Sequence, residues 1–199
     1  MNSRNNKKIG IMGGTFDPVH IVHLIVAEQA KSALGLDEIW FMPAHIPPHK
    51  RDQDITADHH RLAMLERAVA GNDSFRLTTV ELDIAREDRP SYTYDTMLYL
   101  TNAFPDHTFY FIIGGDMVEY LPRWYKIDEL VNLVQFAALA RPGYTMNHPY
   151  GHHVTAIEMP QLDISSSMIR EKIAKGQSVR YLIPDKVRLY IEENRLYGS

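Results

Sequence analysis

Ile9-Gly10-Ile11-Met12-Gly13-Gly14-Thr15-Phe16-Asp17-Pro18-Val19-His20-Ile21-Val22-His23 carries an apolar strand through two glycines into a helix that opens with two histidines. Paired glycines let the backbone turn tightly and bring its N–H groups close to a ligand. A helix start adds unpaired N–H groups and a partial positive charge, both suited to phosphate. Histidines three apart share one helix face, so His20 and His23 are placed to meet the same anion. The stretch predicts a device for holding and activating a polyphosphate. A plainer reading makes them ordinary first-turn histidines, with Asp17 as N-cap and Pro18 at the first helical position.

Outward from this segment the chain alternates. Apolar runs at 8–12, 38–42, 75–82, 108–113, 136–140 and 154–158 read as strands, and helical patterns occupy 19–34, 58–70 and 94–103. Two more helices close the chain, over 166–175 and 185–194, with Pro184 near the start of the second. The pattern predicts an α/β fold, a doubly wound parallel sheet with C-terminal helices. Phe109-Tyr110-Phe111-Ile112-Ile113 is apolar throughout, as a central strand covered on both faces should be. Ligands in such sheets bind beyond the carboxyl ends of the strands. Gly13-Gly14 and Gly114-Gly115 each follow a strand, so the two glycine turns are expected to face one cleft. Loops are expected over 43–57 and 86–91.

Composition narrows the function classes. At 199 residues the chain reads as one domain, 1–199, large enough for a substantial core. A formal charge of -4 gives no support to a nucleic-acid scaffold. Cysteine is absent, which removes disulfides, thiolate catalysis and cysteine-ligated metals. No apolar run approaches membrane-spanning length, and the first eight residues lack the apolar stretch of a signal peptide, so a cytoplasmic enzyme is expected. His59-His60 and His152-His153 are adjacent pairs that do not face each other on a helix; they read as surface or loop residues, and no metal site is assigned.

The motifs taken in order resemble those of the bacterial nicotinate mononucleotide adenylyltransferases, nucleotidyltransferases with a His-x-Gly-His signature. Gly-Gly-Thr-Phe-Asp-Pro with His20-x-x-His23 is followed by Phe41-Met42-Pro43, Pro47-Pro48-His49-Lys50, Ser91-Tyr92-Thr93-Tyr94-Asp95-Thr96, Gly114-Gly115-Asp116, Pro122-Arg123-Trp124-Tyr125-Lys126 and Ile164-Ser165-Ser166-Ser167-Met168-Ile169-Arg170. The resemblance covers essentially the whole chain. It implies a Rossmann-like nucleotidyltransferase fold and transfer of AMP from ATP to nicotinate mononucleotide, with Mg2+ entering on the triphosphate. Gly13, Gly14, Thr15, Phe16, Gly114, Asp116, Arg141, Ser165 and Ser166 would then line the ATP site with His20, His23 and Arg170, the last three catalytic. His49, Lys50, Thr93, Trp124 and Tyr125, joined by Thr15 and Asp116, would receive nicotinate mononucleotide. In that scheme Trp124 stacks on the pyridine ring, and N–H groups at Thr93, ahead of a helix beginning at Tyr94, and at Tyr125 take its carboxylate.

Each assignment has a plainer counterpart. Trp124 reads equally as a core anchor, Asp116 as an N-cap, Lys50 as a solvated loop charge, and the serines as N-caps of the last-but-one helix. That helix has no Glu or Gln three residues after any of the serines, so its start is free for an external anion. Val22 stands where the family has glycine and adds a branched side chain beside the expected nucleotide. Rival readings are an adenylyltransferase for nicotinamide mononucleotide or phosphopantetheine, a nucleotide sensor without catalysis, and a His-x-x-His metal binder. Residues 181–196 carry enough apolar side chains for a homodimer interface, and intramolecular packing explains them equally well.

Overall fold

The computed structural model describes residues 6–45, 55–85, 90–140, 150–159 and 162–198. Six strands form one sheet: β1 (Lys8–Gly14), β2 (Glu38–Pro43), β3 (Phe75–Leu77), β4 (Thr108–Gly114), β5 (Gln135–Ala140) and β6 (Val154–Glu158). They lie in the order β3-β2-β1-β4-β5-β6, and every neighbouring pair is parallel. The chain therefore winds outward twice from the centre, and the direction reverses between β1 and β4. That is the doubly wound arrangement expected from the alternation, with its crevice at the switch point.

Strand periodicity divides the core. Ile9 and Ile11 of β1, with Phe109, Phe111 and Ile113 of β4, face one side; Met12 and Ile112 face the other. The first side is covered by α4 (Thr93–Ala103) and α5 (Ile127–Leu133), through Met97, Leu100, Leu130 and Val131. The second is covered by α1 (Ile21–Leu34), α2 (Asp58–Val69), α6 (Ser166–Ala174) and α7 (Asp185–Glu193). Since β4 has helices on both faces, its continuous apolar run follows. Gly35 ends α1 in the left-handed region at φ 60°, with its cap N–H on the Lys31 carbonyl.

The structure departs from the sequence reading in several places. The run expected as a strand over 75–82 stops at Leu77, and residues Val80–Asp83 form a single helical turn, α3. Gly115–Arg123 is a 3-10 helix and Ile127–Leu133 a short α-helix, neither of which the apolar pattern revealed. Helix α1 begins at Ile21 rather than 19, because residues 15–19 are tied into a turn by buried side chains. His60 is not simply a surface residue: its Nδ1 lies 2.8 Å from the Tyr190 hydroxyl, joining α2 to α7. Of the apolar residues over 181–196, Ile183, Val187 and Ile191 pack into the core, while Tyr181 and Leu189 stay exposed.

Candidate functional site

Gly13 and Gly14 close β1 at its carboxyl end, and Gly114 closes β4 beside it. The two glycine turns thus meet at the switch point, as their positions after strands predict. Their use differs from expectation: neither Gly13 nor Gly14 has a positive φ. A Cβ on Gly13 would lie 3.2 Å from Phe111 Cζ, and one on Gly14 would lie 3.0 Å from Phe16 Cζ. The glycines make room for aromatic rings, and the left-handed residue is Phe16 itself, at φ 51°. Phe16 is buried and packs its ring edge-on to His23, 4.9 Å between centroids.

His20 is the N-cap of α1 and His23 its third residue. Asp17 and Pro18 therefore precede the cap, and the plainer reading of them as N-cap and first helical residue does not hold. The imidazole rings stack at 3.7 Å between centroids. The backbone N–H of His20 donates to His23 Nδ1 at 3.1 Å. With Nδ1 accepting, neutral His23 carries its proton on Nε2 and presents an N–H donor. Burial lowers the His20 pKa to about 4. Burial, and then the neighbouring His20, hold His23 well below the ordinary imidazole value. At neutral pH the pair is a set of neutral donors beside a helix N-terminus. Val22 is half-buried and packs against the core on the α1 side.

The turn before α1 hangs on groups that sequence reasoning passed over. Arg61, fully buried, donates from Nη1 to the Thr15 carbonyl at 2.8 Å and from Nε to the Thr56 carbonyl at 3.1 Å, and pairs with Asp58. Buried Asp17 accepts from the Tyr197 hydroxyl at 2.5 Å and from the Thr56 N–H at 3.2 Å. A signal existed for Arg61. It falls in phase with Met64, Leu65 and Ala68 on the inward face of α2, so an arginine occupies an apolar helical position.

The second motif meets the first. Ser165 caps α6, its hydroxyl accepting from the Met168 N–H at 3.2 Å. Ser166 Oγ donates to the Pro18 carbonyl at 2.8 Å, and Arg170 Nη1 to the Asp17 carbonyl at 2.7 Å. Residues some 150 apart in sequence thus place two helix N-termini side by side. The Ser166 proton is committed to this seam and the Met168 N–H to Ser165, while Arg170 Nη2 reaches Ser167 Oγ at 3.4 Å. The Ser166 and Ser167 N–H groups are thus the first-turn donors of α6 that Ser165 does not cap.

On the other side of the crevice, α4 begins at Thr93 rather than after it, with Tyr92 as an N-cap that makes no side-chain capping bond. The Tyr92 ring packs 4.5 Å and the Tyr94 ring 6.0 Å from that of Tyr125, so the start of α4 lies against Tyr125. Trp124 is half-buried, edge-on to Phe111 and Phe136 at 5.9 Å from each. Asp116 is the second residue of the 3-10 helix that follows β4, not its N-cap. His49, Lys50 and Arg141 lie outside the described residues.

The arrangement sets two neutral imidazoles, two helix N-termini and an arginine beside one another at the β1–β4 switch point. The cytidylyltransferase-like family model matches residues 11–172. A probable nicotinate-nucleotide adenylyltransferase from Geobacillus thermodenitrificans is 55% identical over 96% of this chain and 87% of its own length. One from Bacillus cereus is 51% identical over 97% of this chain and the whole of its own. Among solved structures, the Plasmodium falciparum nicotinic acid mononucleotide adenylyltransferase complexed with NaAD superposes with a TM-score of 0.78 at 24% identity, over 96% of this chain and 98% of that one. The latter likeness concerns the fold.

Proposed function

The chain belongs to the cytidylyltransferase-like family and, within it, to the nicotinate-nucleotide adenylyltransferases, and from this premise we propose that it transfers AMP from ATP to nicotinate mononucleotide, releasing pyrophosphate. An oxygen of the acceptor's phosphate attacks the α-phosphorus of ATP, the bond from that phosphorus to the bridging oxygen breaks, and nicotinate adenine dinucleotide forms. No covalent enzyme intermediate is needed. The chain's contribution is alignment and stabilisation of the charge that gathers on the α-phosphate. His23 Nε2–H donates to that phosphate in the transition state, and His20 holds the phosphates beside it. The start of α6 and the Arg170 fork take the β- and γ-phosphates. Mg2+ enters as part of the ATP substrate and keeps several of its waters. Among the described residues no three His, Asp or Glu side chains gather as ligands. Trp124 and the N–H groups of Thr93 and Tyr125 receive the nicotinate ring and its carboxylate.

The observation that supports this reading most directly is the seam from Ser166 and Arg170 to the Asp17–Pro18 carbonyls, which joins the His20-x-x-His23 and Ser165-to-Arg170 motifs beside β1, next to β4. The test is pyrophosphate release with MgATP and, in turn, nicotinate mononucleotide, its amide and phosphopantetheine, with His23→Ala alongside. Fast turnover of the acid, slow turnover of the amide and a loss in His23→Ala of about 100-fold or more are expected. Equal rates for acid and amide overturn the carboxylate pocket. ATP binding without turnover of any acceptor overturns the enzyme reading in favour of a sensor.

A further inference from the structure

We propose that Glu81 is a specificity-determining positioning residue, which holds the Ser91–Thr93 segment where it receives the acceptor's carboxylate; the proposal rests on the acceptor site described above. Glu81 sits on α3, the helical turn that replaces the expected end of β3. Ser91 Oγ donates to Glu81 Oε1 at 2.5 Å. The backbone N–H of His45, just past the end of β2, also donates to this carboxylate. One side chain therefore ties together the carboxyl ends of β2 and β3 and the segment leading into α4.

Ser91 precedes Thr93 by two residues, and between them Tyr92 packs on Tyr125. The segment is fixed twice: from the β3 side by Glu81 through Ser91, and from the β4 side by Tyr125 through Tyr92. What it carries is the start of α4, whose N-cap makes no side-chain capping bond. A helix start aimed at a carboxylate depends on position, because hydrogen bonds weaken steeply with misalignment. An amide in the same place offers a carbonyl without the charge and loses less when the N–H groups shift. Displacing this segment should therefore lower the preference for acid over amide rather than activity in general.

Glu81 is also an expensive choice for packing alone. Burial pushes its carboxyl up from the ordinary glutamate value, and the bonds from Ser91 and His45, with the charges of His45 and Arg61, only partly pull it back. A carboxylate taken out of water costs stability unless its partners repay it, whereas an apolar residue of similar volume costs none. The positions of its partners are what the carboxylate secures.

The experiment compares kcat and KM for the acid and amide mononucleotides in wild type, Glu81→Ala, Glu81→Gln and Ser91→Ala, with melting temperature recorded for each. Glu81→Ala and Ser91→Ala are expected to lower the acid-over-amide ratio of kcat/KM about tenfold, through KM for the acid, the scale of one charge-assisted hydrogen bond. KM for ATP should hold. Glu81→Gln keeps an acceptor oxygen for the Ser91 hydroxyl and should restore most of the preference. The double variant should lose no more than either single, since both cut one link. If Glu81→Ala does not fold, Ser91→Ala alone decides. Equal losses for acid and amide, or an unchanged ratio, overturn the proposal and leave the acceptor site standing. A wild type with no acid preference overturns both.

Discussion

Burial keeps His20 and His23 neutral, so each ring has a single N–H to donate. With the His20 pKa lowered from 6.5 to about 4 by burial, the unfolded chain takes up a proton below pH 6.5 that the folded protein refuses until about pH 4. Stability on this account is full above 6.5 and declines as pH falls through the window to about 4. Its size for His20 is on the order of 3 kcal/mol. His23, held low by burial and by His20, adds to the same trend. Imidazole resonances of the free protein should therefore show His20 titrating near 4, and denaturation midpoints should fall between pH 6.5 and 4. A His20 midpoint near 6.5 would mean that the ring is solvated like a free imidazole, and the buried, neutral pair would be ruled out. At this scale the sequence was informative about which histidines matter, but not about their charge. Spacing brought them to one helix start, whereas the pKa depends on the buried surroundings supplied by Phe16 and the core.

At the scale of elements, the turn before α1 is held from three directions: by α2 through Arg61, by the 3-10 turn Leu196–Gly198 through Tyr197, and by α6 through Ser166 and Arg170. Removing a buried donor leaves its acceptors buried and unsatisfied. Arg61→Met should cost about 2–5 kcal/mol, leaving the Thr15 and Thr56 carbonyls without their donor. Tyr197→Phe deletes a single donor to Asp17 and should cost about 1–3 kcal/mol. Urea unfolding midpoints of the two variants separate these values, and similar small losses in both would show the turn to be held by its backbone alone. The apolar phase of α2 marked Arg61 as buried, but its carbonyl partners and the Tyr197–Asp17 contact, far apart in sequence, were not legible. Five of the six strands and the five longer helices were, to within a residue or two, because their apolar residues follow the face or faces that they bury. Val80-Glu81-Leu82 misled, since alternation reads the same in a strand as in a short turn leaving one. Gly115–Arg123 and α5 stayed hidden because 3-10 geometry and seven residues give no usable period.

For the whole molecule, what matters is that the proposed site draws on both faces of the sheet. Helices α1 and α6 cover one face and bring His20, His23 and Arg170 to the end of β1, while α4 and the residues after β4 bring Thr93 and Tyr125 from the other face. The opposite, amino-terminal end of the sheet is given over to structure: buried Glu38 of β2 takes Lys7, Arg76 and the Trp40 indole N–H, and these partners hold its carboxyl below the usual range. A ligand that spans the switch point should therefore stabilise both halves together, and from one end only. At 100 times its dissociation constant a ligand adds about 2.7 kcal/mol to the folded state. On the proposed site the product dinucleotide spans both sides, so its binding should slow amide hydrogen exchange at the starts of α1, α4 and α6 alike. Amides exchanging by local opening around Glu38 should change little, since the ligand does not reach them. ATP analogue alone should protect α1 and α6 and leave α4 unaffected. Protection of α4 by the analogue alone would place the acceptor side elsewhere, because the start of α4 would then be reporting on triphosphate rather than on the nicotinate carboxylate.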